Sequence, residues 1–269
     1  MNKLVFIGGG NMARAIIGGL LGSGRPASSV LVVDPGDAQR SALQSDFGIT
    51  TLAAAGPELA DAALVVWAVK PQLFGVASAP CAPHIGAALQ LSVMAGIRSD
   101  TIARACGTER VVRAMPNTPA LIGQGIAGLF ARPQVTADER TEVEAVLAPT
   151  GRTLWVDREA DLDAVTAVSG SGPAYVFYLL EALIDSAQQM GLSAEQGRQL
   201  ALATMAGATA LAAGSDQPPA TLRQQVTSKG GTTFAALEVL EAAGVKASFV
   251  EALEAARHRA SQLGDEFGA

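Results

Sequence analysis

The chain has 269 residues, 49% hydrophobic and 16% charged, with 29 glycines and a formal net charge of −6. That composition excludes a disordered chain and allows one large or two ordinary domains with a real core. The acidic balance, without a Lys/Arg run, argues against nucleic acid as a partner, and Cys81 and Cys106 are too few and too far apart for a disulfide framework or a zinc site.

The N-terminus enters the first strand without a basic and apolar leader. No apolar stretch reaches the length of a membrane span, because Arg, Gln, Asp or Glu interrupts each. A cytoplasmic location is expected. His84 and His258 lie near no second candidate ligand, so neither metal chemistry nor a Ser-His-Asp arrangement is expected.

The first apolar run, residues 4–7, has no polar member, as suits a strand buried on both faces of a parallel sheet. It breaks on glycine and opens into a helix from Asn11, where Met12, Ile16 and Leu20 recur every fourth residue beside Ala13, Ile17 and Leu21. Gly8-x-Gly10-x-x-Ala13 therefore stands in the strand-to-helix context of a dinucleotide fingerprint. Gly8 permits the tight turn, Gly10 lets the backbone approach a pyrophosphate, and Ala13 allows close packing, with the helix N-terminus facing the anion. The alternative is a plain βα turn that uses glycines for geometry alone. Against it, a second run, Val30–Val33, ends in Asp34, where a ribose-binding carboxylate is expected.

Pro35-Gly36-Asp37 turns into a helix that Gly48 ends near Phe47, and residues 49–52 and 57–60 read as a short strand and a small helix. Residues 63–69 form another buried strand, stopped by Lys70-Pro71. Lys70 thus falls on the carboxyl edge where ligands of open α/β sheets collect, or is simply a solvated strand-end lysine. A strand over 89–94 ends in Ala95-Gly96 at the same edge, a short helix over 100–106 follows, and Val111–Met115 is broken by Pro116-Asn117-Thr118-Pro119. Asn117 offers its amide to a carboxamide or to its own backbone in an Asx turn. Gly125–Ala131 and 153–156 supply further strands around a helix over 138–147. This alternation predicts an α/β architecture with a doubly wound, mainly parallel sheet that stops near Glu159.

From Asp161 onward the signals are helical, which predicts a dinucleotide-binding domain over 1–160 and an all-α domain over 161–269. A serine-glycine turn, Ser169-Gly170-Ser171-Gly172, precedes Pro173 at a first helical position; Leu179, Leu180, Leu183, Ile184 and Ala187 face inward, and Gly191 ends the helix. Ser193 with Gln196 is a capping-box signature. Residues 201–211 are apolar nearly all round, so that helix must be buried on every side, which about a hundred residues can hardly do alone; an intersubunit helical interface is expected. In Val226-Thr227-Ser228-Lys229-Gly230-Gly231-Thr232-Thr233 the helix stops, leaving backbone donors and hydroxyls ahead of a helix that starts near Phe234. Such a place suits a small anion such as a carboxylate; a mere interhelical turn would not need four hydroxyl residues. The last helix, 246–263, has mixed charge and reads as partly solvated.

Phe6-Ile7-Gly8-Gly9-Gly10-Asn11-Met12-Ala13, Ala68-Val69-Lys70-Pro71, Arg113-Ala114-Met115-Pro116-Asn117-Thr118-Pro119, Ser169-Gly170-Ser171-Gly172-Pro173-Ala174-Tyr175 and Ser228-Lys229-Gly230-Gly231-Thr232-Thr233 together resemble pyrroline-5-carboxylate reductase. The resemblance runs over essentially the whole chain. It implies an N-terminal Rossmann domain and a helical C-terminal domain that interlocks with a second subunit, often in rings of dimers. It also implies the last step of proline biosynthesis, reduction of 1-pyrroline-5-carboxylate to L-proline by NADH or NADPH.

By position, the resemblance implies cofactor contacts at Ile7, Gly8, Gly9, Gly10, Asn11, Met12, Ala68, Val69, Lys70, Pro71, Met94, Ala95, Gly96 and Gln225, to which the readings above add Asp34 and Asn117. Gly231, Thr232 and Thr233 match the loop that holds the substrate carboxylate by backbone N–H groups. The Thr233 hydroxyl reaches the ring nitrogen as the catalytic contact, and Glu159 matches a further substrate position. Two departures stand out. Lys229 replaces a proline common in relatives, and Asp34 replaces the serine or other neutral residue of many NADPH-preferring members. A carboxylate there suits the ribose diol of NADH and repels a 2′-phosphate, unless Arg40 swings over, so the preference stays open. Two other readings remain: a related two-domain dehydrogenase or imine reductase with Lys229 as acid, and a non-catalytic dinucleotide-binding regulator, which would not need the Ser/Gly/Thr loops of the helical half.

Overall fold

Among the described residues, 2–86 and 88–268, the computed structural model has one eight-stranded sheet. The strands are β1 (Lys3–Ile7), β2 (Val30–Val33), β3 (Thr50–Leu52), β4 (Ala62–Trp67), β5 (Leu89–Ser92), β6 (Val111–Met115), β7 (Gly125–Ala131) and β8 (Gly151–Trp155). Their spatial order is β3-β2-β1-β4-β5-β6-β7-β8, parallel throughout except between β6 and β7. That reversal follows from a connection, built around a 3-10 turn over Thr118–Ile122, too short for the crossover a parallel neighbour requires.

The all-apolar β1 run is explained by burial on both faces. Leu4 and Phe6 join one core with residues of α1 (Asn11–Gly22) and α2 (Asp37–Phe47), while Val5 and Ile7 join another with α3 (Phe74–Ile85) and α4 (Ser99–Cys106). α5 (Ala137–Leu147) adds Val143, Val146 and Leu147 to the first core. Alternate residues of β2 and β4 divide the same way, so helices cover both faces of the sheet. The one amide placed mid-strand in this region, Gln90, is fully buried and satisfied: it accepts from Trp67 Nε1 (2.8 Å) and donates to the Ala88 carbonyl (2.9 Å).

Beyond β8 come α6 (Asp161–Val165), a π-helical stretch (Thr166–Gly170), α7 (Gly172–Gln189), α8 (Ala194–Ala213), α9 (Pro219–Gln225), α10 (Thr232–Ala242) and α11 (Val245–Gly268). The serine-glycine segment ahead of Pro173 is therefore not the turn its composition suggests. Ser171 N–H donates to the Thr166 carbonyl (2.8 Å), and the Thr166 and Ser169 hydroxyls fold back onto the Leu162 and Val165 carbonyls, so the helix runs on. Gly170 makes room for Met115, whose Cε lies 2.6 Å from where a Cβ would stand.

One consequence corrects the reading of membrane length. Asp161–Gln189 is a 29-residue helix whose most apolar window has a mean hydropathy of 1.2, enough by length and composition to cross a bilayer. The acidic interruptions fall at its ends: between Asp163 and Glu181 no Arg, Gln, Asp or Glu breaks the run, and Asp185 follows beyond it.

The chain divides into one unit that runs to Ser171 and resumes at Ala256, and a second unit, Gly172–Ala255. In the second, α7 and α8 meet through small residues: a Cβ on Gly197 would stand 3.0 Å from Ala187 Cβ, and Ala187 and Ala201 are buried. Gly191 has the left-handed φ (+93°) that ends α7, and Ser193 with Gln196 forms the capping box that opens α8. The single chain does not enclose α8: Leu200, Leu202 and Leu211 are exposed, as are Phe177 and Tyr178 of α7. So much exposed apolar surface marks a protein interface.

Cys81 and Cys106 are both free and buried in the core between the sheet and α3 and α4. Burial pushes the Cys81 thiol up to about 11, and burial together with Cys81 pushes Cys106 up to about 12. Both thiols are therefore neutral at pH 8. Alkylation by iodoacetamide at that pH, followed by mass spectrometry, should run on the order of a hundredfold slower than for a free cysteine and become rapid only on unfolding.

Candidate active site

β1 lies between β2 and β4, where the strand order reverses direction, so the carboxyl ends of β1 and β4 flank the crevice in which open α/β sheets bind ligands. Ile7 pairs with both Val33 and Trp67. The ladder continues one residue on each side, with Gly8 N–H donating to the Val33 carbonyl and Ala68 N–H to the Ile7 carbonyl, both at 2.8 Å. Gly8 has φ +96°, and a Cβ there would stand 2.7 Å from the Ala68 carbonyl oxygen and 2.9 Å from Val69 Cγ1. The turn thus needs glycine for its dihedral and for the nearness of β4. At Gly10 an added Cβ would meet nothing within 4 Å. α1 starts at Asn11 with neither a side-chain cap nor an acidic residue in its first turn. Open space and unpaired N–H groups at a helix N-terminus fit the pyrophosphate of a dinucleotide.

Asp34, one residue past β2, is fixed by the backbone. Its Oδ2 accepts from Gly9 N–H and its Oδ1 from Gly36 N–H, both at 2.8 Å. Gln39, on the first turns of α2, donates to the Gly9 carbonyl, and Arg40 Nη1 donates to the Asp34 carbonyl (2.7 Å). Gln39 escaped the motif reading because its contact depends on how α2 returns beside the glycine turn.

Ala68, Val69, Lys70 and Pro71 follow β4 on the same edge, with Lys70 exposed. Met94, Ala95 and Gly96 follow β5. Met94 is buried in the core, its N–H donating to the Ser92 hydroxyl (3.2 Å), and Gly96 (φ +75°) lies against Leu263 and Phe267 of α11. The Asn117 amide is largely committed: its Oδ1 accepts from Ile126 N–H (3.0 Å) and its Nδ2 donates to the Ser169 carbonyl (3.2 Å). Its side chain thus bonds across to β7 and to Ser169 and does not close an Asx turn.

Glu159 is likewise engaged. Oε1 accepts from Ser99 N–H (2.6 Å) and Arg113 Nη1 (2.8 Å), and Oε2 from the Ser99 hydroxyl (2.6 Å), so this carboxylate ties the first turn of α4 to β6. The Arg113 side chain is nearly buried and its Nε has no partner, which makes Glu159 its charge balance. Nearby Asp163 is pushed up by burial, against the pull of Arg113, Arg98 and Arg257. Arg113 opens one of the motifs quoted above, but nothing in the spacing pointed to its pairing with Glu159 or to Ser99, since each meets Glu159 only through the fold.

The remaining candidates lie in the second unit. Gly231 precedes α10 without a side-chain cap, α10 has no acidic residue in its first turn, and Gly230 has φ +74°. Gly231 packs on Ser228, and the Thr232 and Thr233 side chains are exposed. The helix begins two residues earlier than its apolar pattern indicates, which puts Thr232 and Thr233 on its first turn. Gln225, the last residue of α9, donates to Gln217 Oε1 (2.7 Å).

Because Gly8 combines a left-handed dihedral with a close backbone neighbour, Gly8→Ala should cost roughly 2–4 kcal/mol of stability. This is to be read as a lower urea midpoint at unchanged slope; an unchanged midpoint would show that the turn relaxes freely.

Residues 3–96 match the family model for NADP oxidoreductase, coenzyme F420-dependent, and residues 159–263 match that for pyrroline-5-carboxylate reductase dimerisation. A pyrroline-5-carboxylate reductase of Pseudomonas aeruginosa is 42% identical over 99% of this chain and 98% of its own length. Among solved structures, a pyrroline-5-carboxylate reductase from Coxiella burnetii aligns over 97% of this chain and 98% of its own with a TM-score of 0.89 at 34% identity. The Plasmodium falciparum enzyme with NADP bound aligns over 98% of each chain with a TM-score of 0.86 at 28% identity. The chain belongs to the pyrroline-5-carboxylate reductase family.

Proposed function

We propose that this protein reduces 1-pyrroline-5-carboxylate to L-proline, with NADH or NADPH as donor, as the last step of proline biosynthesis. The observation that carries the reading is the full-length match, at 42% identity, to a protein of that name. The glycine turn with its open helix N-terminus supports it. When bound, the reduced nicotinamide supplies the hydride that the imine carbon accepts.

The protein's own part is positioning. A protonated imine is already electrophilic, so the chain needs no histidine acid; it must hold the ring in one orientation. The N–H groups of Gly231, Thr232 and Thr233, at the uncapped start of α10, fix the substrate carboxylate, with the exposed Lys229 adding positive charge. The Thr233 hydroxyl oxygen accepts a hydrogen bond from the iminium N–H. The residues at Ile7–Met12, Ala68–Pro71 and Met94–Gly96, with Asp34 and Gln225, hold the dinucleotide, while Asn117 and Glu159 act by bracing the loops around it.

The protein is a homo-oligomer. The exposed apolar residues of α7 and α8 support a dimer in which these helices cover one another, and rings of dimers extend the same scheme. The length of Asp161–Gln189 then serves the partner helix and not a bilayer. Two free thiols suit a reducing compartment, the cytoplasm.

Purified protein should oxidise NADH or NADPH only when the imine is present, followed at the nicotinamide absorbance; a folded, cofactor-binding protein that stays silent would overturn the reading. Thr233→Ala should lower kcat/KM by on the order of tenfold to a thousandfold, and unchanged kinetics would remove Thr233 from the mechanism. Light scattering should give at least twice the chain mass, and Tyr178→Glu, on the exposed face of α7, should reduce it.

A further inference from the structure

Asp34 and Asp37 bear on which dinucleotide enters. A carboxylate after β2 suits the two hydroxyls of an adenosine ribose, and one free to rotate could turn away from a phosphate. This one is not: each oxygen accepts a backbone N–H, from Gly9 and from Gly36, at 2.8 Å. Its remaining lone pairs stay available to a diol, and its charge stays where it is.

The two features that could receive a 2′-phosphate are taken by acid. One is the start of α2, where Gly36 is the cap; Asp37 stands in that first turn, so the positive end of the helix already has its anion. The other is Arg40. Its Nη1 donates to the Asp34 carbonyl (2.7 Å), its Nη2 pairs with Asp37, and its side chain is only 17% exposed. Arg14, across on α1, pairs with Asp46 and stacks on Phe47. A phosphate of about two negative charges would therefore face a pinned carboxylate and a cation already neutralised.

We propose that Asp34 and Asp37 make this chain select a dinucleotide with a free adenosine ribose diol, NAD(H), over its 2′-phosphorylated counterpart. The inference rests on the dinucleotide reading of the glycine turn and goes beyond it, since the relative from Plasmodium falciparum binds NADP.

Calorimetric titration of the full-length protein with NAD⁺ and with NADP⁺, needing no turnover, tests it. The protein should bind NAD⁺ on the order of tenfold to a hundredfold tighter, the effect of one additional like-charge pair near a surface, and the ratio should shrink as salt rises. Asp34→Ser should bring the ratio toward one, weakening NAD⁺ and strengthening NADP⁺. Should loss of the Gly9 and Gly36 acceptor unfold that variant, Asp37→Ser, at a side chain 91% exposed, must still strengthen NADP⁺. Equal affinities, tighter NADP⁺, or variants that leave the ratio unchanged overturn the inference alone. Absence of binding by either dinucleotide overturns it together with the site reading, and imine-dependent oxidation tests that reading separately.

Discussion

The close approach of the Gly8 turn to the Ala68 carbonyl is the constraint on which the nucleotide edge depends. Ile7 is hydrogen-bonded on both sides, through Gly8 to Val33 and through its own carbonyl to Ala68, so three strands end in register at one point. A side chain at Gly8 would push β4 away and open that point. Because it is closed, the chain must leave the sheet over the edge, and α1 begins with its N–H groups turned toward the crevice. The same closeness carries Val69 and Lys70 to one side of the turn and Asp34 to the other.

Around this edge, buried and half-buried polar groups act as ties between segments distant in sequence. Glu159 joins α4 to β6, Asn117 joins the loop after β6 to the start of β7 and to Ser169, and Gln90 joins β5 to Trp67. A polar group taken from water must be satisfied, so each tie is directional and admits a narrower set of arrangements than apolar contact would. Arg113 carries the balance: one guanidinium nitrogen is paired with Glu159 while Nε goes without a partner. Glu159 therefore has a structural duty whether or not it also meets substrate.

Local chemistry explains why much of this was legible. The β1 run, the Gly8 turn and Asp34 are written within a few residues of one another, and burial on both faces leaves a clear apolar signature. The Ser193–Gln196 box and the Gly191 stop are equally local. What escaped depends on partners far along the chain. Ser99 and Arg113 stand far from Glu159 in sequence, and Ser169 far from Asn117, so no spacing rule links them. The π-helical stretch was hidden because serine and glycine read as a turn, whereas the hydroxyls here bond back to the helix and Gly170 admits Met115. The reversal at β7 lay in the length of a connection rather than in any strand pattern.

The sequence uses one physical device twice. α1 and α10 each begin from a glycine, with no side-chain cap and no acidic residue in the first turn. Three other helices answer their positive end themselves: α2 places Asp37 there, α5 a Thr136–Glu139 box and α8 a Ser193–Gln196 box with Glu195; α3 and α9 also lack a cap and a first-turn acid, but they start from Leu73 and Pro218, without the room a glycine leaves. Leaving a helix start unanswered costs on the order of a kilocalorie per mole in lost capping, which a bound anion offsets. A pyrophosphate at α1 and a substrate carboxylate at α10 are anions of the required kind, and glycine is the cap residue that leaves them room. At α2 the cap is also glycine, yet the chain supplies its own carboxylate beside Asp34, so a start suited to a third anion has been closed from within.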